Sequence, residues 1–335
     1  MRAAIYNGGV RPITVENLPE PVAAPDQLLI EIAYCGVCGS DVSMTAGGPF
    51  DYPKGHCFGH EFAGTILELG REVTGFRRGD RVACMPNSGC GRCEACREGR
   101  LLLCAKGRPS FGFAERTTVA AAYAVRLPDS LSIADGALIE PMACGLRALR
   151  GAGMRGGERV LVLGAGSMAL SVVWWARALG AGRVVVASRS ARARDLCIAF
   201  GADCVHSFDE DDPGELAAAL GGAPHIVAEC VGKPGLLNRA LDLVHMGGTV
   251  IAMGMCMTPE PILPIARTFK EARIIFPLGY SPAEFAEAAR AFDSARFCPE
   301  TMVSDVLPLD KLGGALNALR AGEKMQKVHI DPRPR

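Results

Sequence analysis

The sequence of 335 residues lacks an excess of charge of either sign and lacks long hydrophobic runs. Its 36 Lys and Arg balance 36 Asp and Glu, so no electrostatic surface for nucleic acid or for an anionic membrane is indicated. The first twenty residues contain no apolar segment of the secretory type, and the longest apolar stretch, 168–176, is shorter than the ~20 residues of a membrane-spanning helix. We therefore expect a cytoplasmic protein without nucleic-acid or membrane partners.

Internal repeats and low-complexity linkers are also missing, and 49% hydrophobic residues with 21% charged residues exclude a disordered chain. The length favours two domains. Residues 1–125 alternate short strand patterns with Gly and Pro turns, and Ile133–Arg150 is apolar at helical spacing. The chain then alternates helices with apolar strands, which are expected at Arg159–Leu163, Arg183–Ala187, His225–Glu229 and Gly248–Met253. This alternation predicts an α/β protein with a parallel sheet covered on both faces.

Fourteen cysteines are many for a reducing compartment, where clustered thiols indicate a metal site or catalysis. Four of them, Cys90, Cys93, Cys96 and Cys104, follow the spacing C-x2-C-x2-C-x7-C. Four thiolates with no open position are typical of structural zinc, whereas the ferredoxin iron–sulfur run has a shorter last gap followed by Pro. We predict a structural zinc site here; a plain cysteine-rich loop is the alternative.

A second set of potential ligands is spread over three motifs. Cys38 lies in CGVCGSD, His60 and its neighbour Glu61 lie in GHCFGHEFAG, and Glu140 lies in IEPMAC. Cysteine, imidazole and carboxylate are zinc ligands, and three of them with an open position form a catalytic site. Each residue alone is a weak signal, but the four-cysteine segment beside them strengthens the prediction.

The pattern G-H-E-x2-G-x5-G-x2-V begins at Gly59 and ends at Val73. With the two sets of metal ligands, it makes the sequence resemble the zinc-dependent medium-chain dehydrogenase/reductase family over essentially its whole length. The branch of sorbitol, butanediol and threonine dehydrogenases is the most similar. The resemblance implies a GroES-like, strand-rich catalytic domain with the structural zinc lobe at 1–142, a doubly wound Rossmann nucleotide-binding domain at 143–276, and a return to the catalytic domain at 277–335.

The resemblance also implies roles for single residues. Cys38, His60 and Glu140 would hold a catalytic zinc, and Glu61 would either ligate it in exchange with substrate and water or sit just behind it. Asp41 would orient the ring of His60, and Ser40 would accept the alcohol proton. Each subunit would then hold two zinc ions, one catalytic and one structural, and the subunits would form a homodimer or a homotetramer.

A nucleotide site is indicated where the strand Val160–Leu163 runs into the G-x-G-x-x-A pattern and a helix. The residues expected against a pyrophosphate are Gly164, Gly166, Ser167 and Met168. An NAD site expects an acidic residue at the end of the second strand, but here that strand is followed by Ser188, Arg189 and Arg192. Hydroxyl and guanidinium groups suit a phosphate, so we predict a preference for NADP over NAD; a solvated helix face is the alternative for these arginines.

Two positions depart from the family pattern. Ser43 stands where many relatives have a histidine that ends the proton relay, and Gly279 precedes Tyr280 where sorbitol dehydrogenases usually have an arginine. We therefore expect a zinc-dependent oxidoreductase that transfers a hydride between NADP(H) and a small to medium secondary alcohol or ketone, or a primary alcohol or aldehyde. Two alternatives stay open: an NAD-dependent polyol or vicinal-diol dehydrogenase, and a non-catalytic nucleotide-binding protein on the same fold.

Overall fold

The structure is a computed structural model that describes residues 1–9, 11–48, 50–189, 193–207, 213–295, 299–323 and 325–334. The chain divides into two compact units. Unit 1 comprises Met1–Ala143 and Gly279–Arg335, and unit 2 comprises Cys144–Leu278. Within the described ranges, no helix is long and apolar enough to cross a bilayer.

Unit 1 is rich in strands and contains short helices. Its strands are β1 (Arg2–Tyr6), β2 (Thr14–Asn17), β3 (Gln27–Gly36), β4 (His56–Cys57), β5 (Glu61–Leu69), β6 (Arg81–Cys84), β7 (Asn87–Ser88), β8 (Arg108–Pro109), β9 (Arg116–Ala120), β10 (Ala124–Arg126), β17 (Asp305–Pro308) and β18 (Val328–Asp331). Its helices are α1 (Gly39–Ser43), α2 (Glu94–Arg97), α3 (Ile133–Gly136), α10 (Pro282–Ala295) and α11 (Leu312–Arg320). Helix α4 (Ile139–Gly151) begins in unit 1 and continues into unit 2.

The main sheet of unit 1 has the strand order β10-β6-β5-β3-β18-β17, with β9 also paired to β3. Strand β3 is central because it pairs with β5, β9 and β18, and most of its side chains are buried. The two ends of the chain therefore meet in one sheet, and the register places His329 and Glu61 on opposite sides of Gly36. A core that includes Phe58, Phe62 and Ile330 packs around this sheet.

Unit 2 is a parallel α/β sheet. Its strands are β11 (Arg159–Leu163), β12 (Arg183–Ala187), β13 (Cys204–His206), β14 (Ile226–Glu229), β15 (Thr249–Ala252) and β16 (Arg273–Ile275), and the helices are α5 (Ser167–Ala178), α6 (Arg194–Ala199), α7 (Pro213–Leu220), α8 (Leu236–Leu243) and α9 (Pro264–Thr268). The sheet order β13-β12-β11-β14-β15-β16 is the order of a dinucleotide-binding fold, in which ligands bind at the carboxyl ends of the strands.

The segment Ile133–Arg150, which is apolar at helical spacing, forms two helices in the structure, α3 and α4. Helix α3 ends at Gly136. A Cβ added to Gly136 would lie 2.6 Å from Leu127 Cδ1, so the helix backbone packs closely against Leu127 at this point. Pro141 then falls in the first turn of α4, where its missing N–H is not required, whereas inside one long helix it would remove a hydrogen bond.

Candidate metal and nucleotide sites

Three potential metal ligands meet where α1 and β5 begin. Cys38 is the residue before α1, and His60 immediately precedes Glu61, the first residue of β5. One ligand atom from each of Cys38, His60 and Glu61 lies within 4.8 Å of the other two. The turn before α1 supplies the thiol, and the residues at the start of β5 supply the imidazole and the carboxylate. Zinc prefers this set of donors.

The carboxylate of Glu61 occupies space that a side chain at position 36 would fill. Gly36 pairs with Glu61 across β3 and β5, and a Cβ on Gly36 would lie 2.1 Å from Glu61 Oε2. Glycine is therefore required here by close approach, since no larger residue leaves room for the carboxylate.

Glu61 is completely buried, and its two oxygens have different surroundings. Oε2 accepts a hydrogen bond of 2.5 Å from Nζ of Lys327, which also donates to the carbonyl of Val37 at 3.1 Å. Oε1 is buried and has no hydrogen-bond partner within the described part of the chain. A buried carboxylate oxygen left without a partner is costly, so a cation bound beside Cys38 and His60 would satisfy it. By this test the residues fit a zinc ion.

Asp41 holds two of these ligands in place. Its Oδ2 accepts a hydrogen bond from the backbone N–H of Cys38 at 2.9 Å, and its Oδ1 lies 3.5 Å from Nδ1 of His60. Burial lowers the pKa of His60, but Asp41 and Cys38 raise it by more, so that the net pKa lies well above the usual value. A proton and a metal ion therefore compete for this imidazole. Ser40 Oγ lies 3.5 Å from Nε2 of the same ring.

Glu140 lies in the first turn of α4 and is buried, but it is outside the group formed by Cys38, His60 and Glu61. Burial raises the pKa of Glu140 to about 7; Glu61 adds to this, while His60, Lys327 and a hydrogen bond with Tyr280 lower it. The charges of His60 and Glu61 thus act on this carboxyl group, which is about half protonated at pH 7.

The four cysteines predicted to hold structural zinc also come together. The Sγ atoms of Cys90, Cys93, Cys96 and Cys104 all lie within 4.8 Å of one another; Cys93 and Cys96 are 3.4 Å apart, and Cys90 and Cys96 are 4.0 Å apart. These separations are near the ~3.8 Å edge of a tetrahedron with Zn–S bonds of about 2.3 Å. Backbone N–H groups of Arg92 and Cys93 lower the pKa of Cys90 to about 6, which favours the thiolate that binds metal.

In unit 2 the glycine-rich loop connects β11 to α5. Gly164 has φ +106°, and a Cβ on it would lie 2.8 Å from Val231 Cγ2, so both conformation and space require glycine. Gly166 is the residue before α5, and Ser167 and Met168 are its first two residues. The free N–H groups at the start of this helix of 12 residues are suited to bind a pyrophosphate.

The end of β12 lies beside this loop, because β11 and β12 are parallel and the Gly164 N–H donates to the carbonyl of Ala187 at 2.8 Å. Ser188 and the exposed Arg189 follow directly. Arg192, the third residue predicted to bind the cofactor, lies outside the described residues. The first carboxylate after β12 is that of Asp195, which is in α6.

Sequence reasoning did not identify Lys327 or Tyr52 as site residues. Lys327 directly precedes the buried strand β18, and the signal that could have marked it is that a lysine is almost never fully buried without a partner. Tyr52 donates from its hydroxyl to Asp41 Oδ1 at 2.8 Å. No sequence pattern marks this tyrosine, since it lies in a loop.

Comparisons with known proteins agree with both units. The model of the alcohol dehydrogenase GroES-like domain matches residues 24–129, and the model of the zinc-binding dehydrogenase domain matches residues 164–294. Sorbitol dehydrogenase of Gallus gallus is 31% identical over 336 residues, which cover 96% of this chain and 94% of that protein. Sorbitol dehydrogenase of Ovis aries is 32% identical over 278 residues, or 79% of this chain and 78% of that protein.

Two solved structures extend the comparison to the whole fold. A zinc-binding dehydrogenase of Sinorhizobium meliloti bound to NADP has a TM-score of 0.87 and 28% identity, with 99% of each chain covered. The 2R,3R-butanediol dehydrogenase of Bacillus subtilis has a TM-score of 0.86 and 25% identity, also with 99% of each chain covered. The expected fold class, a GroES-like domain with a Rossmann domain, is confirmed.

Proposed function

Because the chain belongs to the zinc-dependent medium-chain dehydrogenase/reductase family and is an NAD(P)-dependent alcohol oxidoreductase, we propose that it prefers NADP(H) and acts on a small to medium secondary alcohol or ketone, or on a primary alcohol or aldehyde. One observation supports catalysis at a zinc ion: Cys38, His60 and Glu61 lie together, and one Glu61 oxygen has no hydrogen-bond partner among the described residues.

The proposed roles follow from the contacts. Cys38, His60 and Glu61 bind zinc, with Glu140 as a further ligand that can join them. Zinc bound there supplies a Lewis acid for the substrate oxygen, and the hydride chemistry belongs to the nicotinamide. Ser40 Oγ, 3.5 Å from His60 Nε2, accepts the alcohol proton. Ser43 replaces the usual relay histidine, so the proton then leaves through Ser43, water or the cofactor ribose.

The proposed NADP preference rests on the end of β12. Ser188 and Arg189 follow the strand that is joined to the glycine-rich loop, and no carboxylate precedes Asp195 to repel a 2′-phosphate. The S. meliloti structure bound to NADP is consistent with this proposal. A titration of the purified protein with NADPH and with NADH, followed by nicotinamide fluorescence, tests it directly.

We expect NADPH to bind at least ~10-fold more tightly, which is ~1.4 kcal/mol. Tighter binding of NADH would contradict the preference and favour the second candidate, an NAD-dependent polyol dehydrogenase. The sorbitol dehydrogenase relatives favour that candidate, whereas Gly279 stands where an arginine would meet polyol hydroxyls. Binding of neither nucleotide would contradict the function as a whole.

We also propose two zinc ions per chain, a cytoplasmic location and a homodimer or homotetramer. The clustered thiols of Cys90, Cys93, Cys96 and Cys104 suit a reducing compartment, and cell fractionation tests the location. Strand β16 lies at an end of its sheet, with Phe269 and Phe276 of unit 2 exposed at 75% and 70%. Sedimentation should show an oligomer that Phe276→Asp weakens and that Val22→Asp, at an exposed position of unit 1, leaves intact.

A further inference from the structure

We propose that Tyr52 is a positioning residue for the candidate zinc ligands, acting through Asp41; this inference rests on the proposed metal site. The hydroxyl of Tyr52 donates to Asp41 Oδ1 at 2.8 Å. The same oxygen lies 3.5 Å from Nδ1 of His60. One carboxylate oxygen therefore connects the phenol to the imidazole that is expected to bind zinc.

The other oxygen of Asp41 is also engaged, because Oδ2 accepts the backbone N–H of Cys38 at 2.9 Å. Asp41 is completely buried, so its orientation depends on these few partners and not on water. Without the Tyr52 hydroxyl, the one described contact left to Oδ1 would be the longer one with His60, and the carboxylate could then turn about its bond to Cβ. That rotation would shift both the ring of His60 and the backbone of Cys38.

Contacts of the Tyr52 backbone and ring orient its hydroxyl towards Asp41. The Tyr52 N–H donates to the carbonyl of Met44 at 3.0 Å, and the ring packs against Phe58 with centroids 5.2 Å apart. Burial and the charge of Asp41 raise the pKa of Tyr52, so the phenol keeps its proton and remains a donor. The tyrosine is thus fixed at both its backbone and its ring.

The chain provides a matched control for this hydroxyl. Tyr6 donates its own phenol hydroxyl to Asp51, the residue next to Tyr52, and Asp51 Oδ1 accepts the N–H of Gly48 at 2.8 Å. Tyr6→Phe therefore removes one phenol hydrogen bond from the same loop without touching Asp41. Tyr52→Phe removes only the hydroxyl that reaches Asp41.

The test measures zinc affinity by competition with a chromogenic chelator on the full chain. The competition curve is expected to have two phases, one for each zinc site. Cys38→Ala identifies the phase of the Cys38, His60 and Glu61 site, because this variant should lose that phase only. Groups that orient metal ligands typically change metal affinity by 10–100-fold. We expect Tyr52→Phe to weaken that phase about 10-fold and to leave the four-cysteine phase unchanged, whereas Tyr6→Phe weakens neither. The visible spectrum of the cobalt-substituted protein should shift in Tyr52→Phe only.

Two results would overturn the positioning role while leaving the metal site in place: an affinity of Tyr52→Phe within twofold of the wild type, or an equal loss in Tyr6→Phe, which would assign the effect to loop packing. If the wild type and Cys38→Ala bind the same amount of zinc, the proposed metal site is wrong, and the role of Tyr52 is wrong with it.

Discussion

Lys327 and Glu61 form a fully buried ion pair in which Nζ donates to Oε2 at 2.5 Å. Burial lowers the pKa of Lys327, but Glu61, Cys38 and Glu140 together raise it by more, so the ammonium group remains charged. The pair joins the last strand of unit 1 to the candidate metal site. The second oxygen of Glu61 has no hydrogen-bond partner among the residues that the structure describes.

In the zinc-free protein, Lys327→Met should strongly destabilise unit 1, because Glu61 would be left as a buried carboxylate without any cation beside it. Removal of one partner from a buried pair typically costs about 3–5 kcal/mol. Urea unfolding measures the loss. The double variant Glu61→Gln with Lys327→Met should recover much of it, and equal instability of single and double variants would show that the charge is not the cause.

Gly36→Ala should displace the Glu61 carboxylate, since the added Cβ would lie 2.1 Å from Oε2. Forcing an extra carbon into a packed site costs about 1–3 kcal/mol, and we expect zinc affinity at the Cys38 site to fall ~10-fold as well. Gly314→Ala in α11 is the control, because no described atom outside its own helix backbone and chain neighbours lies within 4 Å of the added Cβ. Chelator competition and urea unfolding on both variants check the prediction, which fails if they behave alike.

Cys96→Ser should reduce the zinc content from two ions to one per chain and lower the unfolding temperature, because four thiolates complete the structural site. Elemental analysis of the purified protein gives the stoichiometry. Cys256→Ser, at an exposed cysteine outside both clusters, should retain two ions. One ion in the wild type would argue against two zinc sites.

Ser188→Asp should move the cofactor preference towards NADH by ~10-fold or more, because a carboxylate at the end of β12 repels a 2′-phosphate and accepts ribose hydroxyls. Fluorescence titration with both reduced nucleotides measures the ratio of affinities. Arg194→Ala is the matched control, since this arginine is bonded to the carbonyl of Val205 at 3.1 Å and should affect both nucleotides equally. An unchanged ratio in Ser188→Asp would contradict the phosphate interpretation.

His329 should make the protein less stable as the pH falls below 6.5. Burial and the charge of Lys327 lower its pKa from 6.5 to about 3, so between these pH values the unfolded chain binds a proton that the folded protein does not. Stability therefore decreases towards acid by up to ~1.4 kcal/mol per pH unit.

Urea unfolding of His329→Gln at several pH values tests this, because the variant should lose less stability than the wild type between pH 6.5 and pH 4. His56→Gln, at an exposed position, should follow the wild type. The same pH dependence in His329→Gln and the wild type would exclude this histidine as the cause.

Local patterns predicted the parallel sheet of unit 2 and the glycine-rich loop, because each depends on spacing within a short segment. The family resemblance, and not a local pattern, implied that Cys38 and His60 lie together. The contact between Lys327 and Glu61 joins residues 266 positions apart, so no local pattern contains it. The hydrogen bond from Tyr52 to Asp41 depends on how a loop folds back over α1. The break between α3 and α4 depends on packing around Gly136, which periodicity alone does not reveal.

The pairing of β18 with β3 also has a consequence for the order of folding on the ribosome. Gly36 and His329 are paired in the register, so the main sheet of unit 1 stays incomplete in the nascent chain until all of unit 2 has been translated. Domains generally fold as units during synthesis, so unit 2 can fold while the earlier 143 residues wait with part of β3 unpaired. The candidate metal site of Cys38, His60 and Glu61 is therefore completed only after Val328 has been translated. Nascent chains stalled before Val328 should be unable to retain zinc at this site.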